Sequence, residues 1–223
     1  DSVSDTTPTL VKDFESQLWS YHDHGLLGLA VDPQFPTRPY VYVLYAKRGN
    51  PGGRLSRIEI NPANNQMVGN ELVLLEAWCL VYPSHGVGDL QFGPDGSLYV
   101  TVGDAASFNN LDWGQDEPYN ADGDPSGGCT CNDPFEEGGA LRSQDLRTSG
   151  DPVGYNGAMI RVNPDTGAAM PNNPLIGGNT GDDRIIAYGL RNPFRFTVDQ
   201  TTGSIFICDV GWNQWEEINY IAD

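Results

Sequence analysis

Short apolar runs alternate with turn residues along most of the chain. Three segments share one plan, in which an apolar strand, a turn and a second strand rich in Val, Ile, Tyr or Phe follow one another: residues 25–46, 86–104 and 192–211. β-Branched and aromatic residues bounded by Pro, Gly, Asp or Asn are typical of β-hairpins. The pattern therefore predicts an all-β protein.

A second kind of hairpin recurs between these segments. Residues 55–66 and 158–169 both carry an Arg followed by Ile or Val and an Asn-Pro turn. Two consecutive hairpins form a four-stranded antiparallel unit of about 50 residues, the size of one β-propeller blade. The alternation of the two hairpins predicts a β-propeller.

The repeats predict where the blades lie. Blade one spans about residues 25–75, blade two spans 86–175 with an insertion at 105–156, and a third blade begins at 192 and is truncated. Propellers close with about four to eight blades. We therefore expect residues 1–223 to form about half of a propeller domain that belongs to a longer polypeptide.

Aligning the repeats places polar residues at matching positions. His24, His85 and Arg191 fall at the same place, just before the first strand of each hairpin. The antiparallel partner strand returns to that end, so Asp104 is predicted near His85. By the same reasoning, Gly211 and Trp212 are predicted near Arg191 and Asn192. Functional residues commonly lie at the ends of strands on a rigid scaffold, so this end is the predicted site.

The pair His85 and Asp104 suggests acid–base chemistry. A carboxylate bonded to one imidazole nitrogen fixes the tautomer and lets the other nitrogen act as a general base. The alternative is a structural hydrogen bond between strand ends.

Two further groups of residues suggest ligand binding. Arg191 offers a planar fork for carboxylate or quinone oxygens, or it pairs with one of the many acidic residues. Gly211 allows close approach of backbone carbonyls to a hard cation. Residues 122–133 resemble part of a calcium loop, although an acidic surface insertion explains them as well.

The charge balance excludes some partners. The chain carries 12 Lys and Arg against 30 Asp and Glu, a formal net charge of −18. Such a surface repels nucleic acid and anionic lipid. No run of about 18 apolar residues predicts a membrane span. The first ten residues lack a basic and an apolar region, so we expect either no signal peptide or a mature, processed start.

The four cysteines match no zinc-site spacing. An even number in an acidic, extracellular-looking chain is compatible with a disulfide, for which Cys79 and Cys131 are the predicted pair. Free buried thiols are the alternative. Together these features favour a secreted or periplasmic protein.

Five motifs in order resemble the glucose/sorbosone dehydrogenase family. They are GLLGLAVDPQF (25–35), HGVGDLQFGPDGSLYVTVGD (85–104), GGALRSQDLRTSGDPVGYNGAMIRVNPDTG (138–167), GLRNPFRF (189–196) and DVGWNQWEEIN (209–219). The resemblance implies a six-bladed propeller that oxidises aldose sugars with pyrroloquinoline quinone (PQQ) and calcium, and passes the electrons to an external acceptor.

The resemblance also implies roles for individual residues. His85 would take the proton of the anomeric hydroxyl, and Asp104 would orient it. Arg191 and Asn192 would contact the cofactor, and the backbone carbonyls of Gly211 and Trp212 would bind calcium.

Some positions depart from the family pattern. Asp23 and His24 stand where a glutamine often precedes GLLG, Ser84 where an aspartate can occur, and Val210 where a glutamine precedes the calcium-binding glycine. The family's cofactor-neutralising basic residues come from later blades. The alternative function is a non-catalytic binding module like the propeller of hedgehog-interacting proteins.

Overall fold

A computed structural model describes residues 8–48, 52–80, 84–105, 154–177, 182–211 and 214–222. Within these residues the regular structure consists of β-strands and one 3-10 turn at Asp182–Arg184. The strands are β1 (Leu26–Val31), β2 (Tyr40–Lys47), β3 (Gly52–Asn61), β4 (Gln66–Cys79), β5 (Val87–Phe92), β6 (Leu98–Val102), β7 (Ala158–Val162), β8 (Ile185–Tyr188), β9 (Arg195–Val198), β10 (Ile205–Asp209) and β11 (Glu217–Ile221).

The strands form three antiparallel sheets in chain order. Sheet 1 is β1-β2-β3-β4, sheet 2 is β5-β6-β7-β8, and the described part of sheet 3 is β9-β10-β11. Each strand pairs with the next along the chain within its sheet. This meander of four-stranded antiparallel sheets is the blade arrangement of a propeller.

The second sheet ends later along the chain than the repeat suggested. After the Asn-Pro turn at 163–164, the chain returns to β7 only through an isolated bridge between Val162 and Ala169. The strand that pairs with β7 in the sheet is β8, which begins at Ile185, with one register shift between Met159 and Ile160. Sheet 2 therefore extends beyond residue 175, because its fourth strand is not the second arm of the predicted hairpin.

Sheet 2 is the middle layer, and its burial shows this. Every residue of β6 and of β7 is buried. Val100 and Ile160 belong to the core shared with sheet 1, whereas Tyr99 and Met159 belong to the core shared with sheet 3. A strand covered on both faces reads as a continuous apolar run, which explains LYVTV and AMIRV.

The outer sheets expose more apolar surface than sheet 2, although a separate apolar cluster around Phe14 covers part of sheet 1 on the face away from sheet 2. In β10, buried and exposed residues alternate, and Phe206, Ile218 and Tyr220 of sheet 3 are exposed. On sheet 1, Leu29 and Val31 are exposed likewise. Exposed apolar residues on these faces suit packing against further blades of a propeller.

Other predictions fall outside the described residues. Cys131 and the calcium-like stretch 122–133 lie in the undescribed segment 106–153, so the predicted Cys79–Cys131 pair stays a prediction. Cys208 is an exposed free thiol. Of the described residues, none belongs to a helix of the length and apolarity that crossing a membrane requires.

Candidate active site

The strand ends of sheet 2 bring His85 and Asp104 into contact. Imidazole Nδ1 and carboxylate Oδ1 are 2.6 Å apart, and the side chains are only 4% and 0% exposed. In the neutral ring, the tautomer that donates to this carboxylate carries its proton on Nδ1 and its lone pair on Nε2. The arrangement is that of an oriented base.

The contact follows from the strand register. Val87 pairs with Val102, so two residues further out His85 lies opposite Asp104. The ladder continues past the strand ends, because Gly103 N–H donates to the Gly86 carbonyl at 2.8 Å and Ala105 N–H to the His85 carbonyl at 3.1 Å. His85 has a φ of 47°, an uncommon backbone conformation for a residue other than glycine.

The sequence alignment also placed Arg191 and Asn192 at this end, and the structure ties them to the dyad through the backbone. Asp104 N–H donates to the Arg191 carbonyl at 2.8 Å. The loop before β9 thus meets the end of β6, which joins sheets 2 and 3 at the site.

Asp209 fixes this loop, and sequence reasoning missed it. Its carboxylate accepts the backbone N–H groups of Arg191 at 3.0 Å and Asn192 at 2.6 Å. Burial raises the pKa of the Asp209 carboxyl, although these two donors act in the opposite direction. The sequence feature that could have indicated this role is the position of Asp209 at the end of a predicted strand, across from the Arg191–Asn192 loop.

The Arg191 guanidinium lies over the end of β10. Its Nη1 donates to the carbonyl oxygens of Val210 at 2.8 Å and Gly211 at 3.0 Å. Gly211 is therefore next to Arg191, where the alignment predicted it. Trp212 lies outside the described residues.

His24 and Asp23 approach the dyad from sheet 1. His85 N–H donates to the Asp23 carboxylate at 3.3 Å. The His24 ring packs on Gly86, where an added Cβ would come within 2.5 Å of Cδ2. The ring is buried, and burial lowers the pKa of His24 to about 4 against the opposing charge of Asp23. His24, His85 and Arg191 thus come from successive sheets, at the same end of each.

Comparison with known proteins agrees with the fold. The profile of the glucose/sorbosone dehydrogenase family matches residues 2–123 and 137–223. Among solved structures, the oxidoreductase (glucose dehydrogenase) of Thermus thermophilus is 25% identical, with a TM-score of 0.67 over 92% of this chain and 50% of that one. The PQQ-bound aldose sugar dehydrogenase of Streptomyces coelicolor is 21% identical, with a TM-score of 0.64 over 92% of this chain and 48% of that one.

A curated plant protein is also similar. The HIPL1 protein of Arabidopsis thaliana is 28% identical over 145 residues, which is 64% of this chain but 18% of that protein. The chain thus spans about half the length of its solved relatives and a smaller part of this one. The four-stranded sheets confirm the all-β propeller expectation, and the profile match extends over nearly the whole sequence. The chain belongs to the glucose/sorbosone dehydrogenase family.

Proposed function

We propose that this chain carries the catalytic base of a PQQ-dependent aldose dehydrogenase that oxidises the anomeric carbon of a sugar to a lactone. The observation that carries the proposal is the buried 2.6 Å contact between His85 Nδ1 and Asp104 Oδ1. In the tautomer that donates to Asp104, Nε2 is the ring atom that would accept a proton from the anomeric hydroxyl. Family membership supports sugar oxidation.

The residues present fit the quinone. Two donors of Arg191 are used by backbone carbonyls, and a guanidinium carries five N–H donors in all. The others suit a carboxylate or quinone oxygen of PQQ, with Asn192 beside them. PQQ, when bound, supplies the two-electron acceptor for the hydride of the anomeric carbon.

Each protein group has a part in the reaction. His85 takes the hydroxyl proton as the C–H bond breaks, and Asp104 stabilises the imidazolium that forms. Asp209 holds the backbone of Arg191 and Asn192 in place. The oxidised sugar leaves as a lactone, the proton leaves from His85, and an external acceptor removes the two electrons.

In the described residues, a cationic side chain engages the carbonyl that the resemblance assigns to calcium. The Gly211 carbonyl, a predicted ligand, accepts the Arg191 guanidinium at 3.0 Å, and a cation at that oxygen would repel the guanidinium. We therefore assign no step to calcium, and its binding by Gly211 and Trp212 stays a prediction.

The experiment that tests the proposal is dye reduction by the full-length polypeptide that contains this chain, reconstituted with PQQ and calcium, with a series of aldoses. We expect dye reduction in the wild type, and a fall of about two to four orders of magnitude in kcat for His85→Gln and Asp104→Asn, because a general base contributes that much. His22→Asn serves as the control, since Asn tolerates its φ of 49°.

Two results would contradict the proposal. One is a folded, quinone-bound chain that reduces no dye, which would favour the non-catalytic binding module. The other is full activity in His85→Gln. A location outside the cytoplasm is part of the same proposal and is supported by the net charge of −18.

A further inference from the structure

The imidazole of His24 has an unusual environment. The residue is only 4% exposed, and neither ring nitrogen has a hydrogen-bond partner among the described residues. Leaving a buried polar group without a partner is unfavourable, because the group loses its hydrogen bonds to water and gains none. Such a group in a native structure is often explained by a bound water or ligand.

The chemistry of the ring defines what it can bind. With the pKa of His24 lowered to about 4, the imidazole is neutral at pH 7 and offers one N–H donor and one acceptor nitrogen. A neutral hydroxyl, which also both donates and accepts, matches that pair. Among the described residues, no group of three His, Cys, Asp or Glu side chains is placed to hold a metal ion.

The position of the ring links it to the base. The Cδ2–Nε2 edge lies against Gly86, the residue after His85, since a Cβ there would come within 2.9 Å of Nε2. Trp19 contacts the ring edge to face, with centroids 4.4 Å apart. On the other side of His85 in sequence, the Ser84 hydroxyl is also buried and has no partner among the described residues.

We propose that His24 is a substrate-positioning residue, whose neutral imidazole binds one ring hydroxyl of the aldose while His85 acts at the anomeric carbon. This rests on the proposed function. Both ring nitrogens are shielded from solvent, so binding includes a local displacement of the residues around the ring. His24 selects among sugars by a hydroxyl and takes no proton from the substrate.

The test compares D-glucose with its 2-, 3-, 4- and 6-deoxy derivatives. In the wild type we expect kcat/KM to fall at least about tenfold for one of the four, because the absent hydroxyl leaves the imidazole unsatisfied. In His24→Leu, kcat/KM for glucose falls to the level of that derivative and the discrimination at that position disappears. If His24 has only a structural role, His24→Leu lowers kcat/KM for glucose and for all four deoxy derivatives by the same factor.

The control is His22→Asn, which also removes a histidine from this segment and should keep the wild-type discrimination. Equal discrimination by the wild type and His24→Leu at all four positions would overturn the proposal, as would a uniform loss for every sugar.

A second measurement does not depend on turnover. In the full-length polypeptide without quinone, the ring ¹⁵N signals of His24 should shift on titration with D-glucose. This measurement uses the wild type, so it does not depend on whether His24→Leu folds. Signals that stay unchanged while the His85 signals shift mean that His24 binds only water, and overturn the proposal. Shifts of His24 without any sugar oxidation by the holoprotein support it and overturn the proposed function alone.

Discussion

At the residue scale, His85 and His24 lie near one another, but their different surroundings favour different chemical roles. His85 has a carboxylate hydrogen-bonded at Nδ1, which orients the ring. His24 has an aromatic ring and glycine around it, and burial favours its neutral form. The proposed base and the proposed hydroxyl-binding ring are therefore separate groups.

The lowered pKa of His24 predicts a loss of stability in acid. Unfolded, the ring binds a proton as the pH falls through 6.5, whereas the folded ring does so only near 4. Above pH 6.5 the neutral, buried ring therefore adds nothing that depends on pH. As the pH falls towards 4, the free energy of unfolding decreases by about 3 kcal/mol in all, because the unfolded ring gains a proton that the folded ring does not.

Urea denaturation at pH 7.5 and pH 4 of the wild type and His24→Gln measures this loss. Between pH 7.5 and pH 4, the free energy of unfolding should decrease by about 3 kcal/mol more in the wild type than in the variant, because Gln does not titrate. Glu71, whose pKa is lowered to about 2, also makes stability depend on pH. Its contribution is the same in both proteins, so it cancels in the difference between them. An equal loss in both proteins would show that His24 does not titrate in this range.

At the element scale, the site depends on how closely the strand ends approach. Gly103 lies between β6 and Asp104, and a Cβ there would come within 2.3 Å of the His85 carbonyl oxygen. The glycine is needed for this approach of two backbones, which sets the dyad distance.

Gly103→Ala should therefore displace His85 from Asp104. We expect a loss of about 1–3 kcal/mol of stability from the steric conflict, together with lower sugar oxidation. The matched control is Gly25→Ala, where the nearest atom to an added Cβ is Leu27 Cδ2 at 3.9 Å. Thermal unfolding and dye reduction test both variants, and equal behaviour would contradict the steric account.

The element scale also shows what the sequence pattern could predict. The hairpin repeat placed the ends of β5 and β6 together, because an antiparallel register depends on local turn length. It did not predict β8, since residues 170–184 between the Asn-Pro turn and that strand carry no repeat signal. Asp209 was missed because its role depends on a loop folding back across the strand end.

At the scale of the whole molecule, sheets are joined by apolar packing and by ion pairs. Leu90 of β5 is 1% exposed and lies over Gly28 of β1, where an added Cβ would come within 2.7 Å of Leu90 Cδ2. Between the same two sheets, Asp165 pairs with Arg38 at 2.6 Å and with Arg57, but its side chain is 46% exposed.

We expect the apolar contact to dominate stability. Leu90→Ala should cost about 2–5 kcal/mol, because it leaves a cavity between the sheets. Asp165→Asn should cost at most about 1 kcal/mol, because solvent screens the exposed pairs. Urea denaturation of the two variants compares them. A larger loss for Asp165→Asn would mean that ion pairs hold the sheets together.

The sequence by itself determined the strand pattern, the propeller fold and the adjacency of His85 and Asp104, because all three depend on local periodicity and turns. It also determined family membership through motifs in a fixed order. Only the tertiary structure decided that Arg191 engages the Gly211 carbonyl, that Asp209 holds the neighbouring loop, and that His24 is buried without a hydrogen-bond partner among the described residues. Those properties arise where separate sheets and loops meet, and contacts between distant segments leave no periodic signal in one sequence.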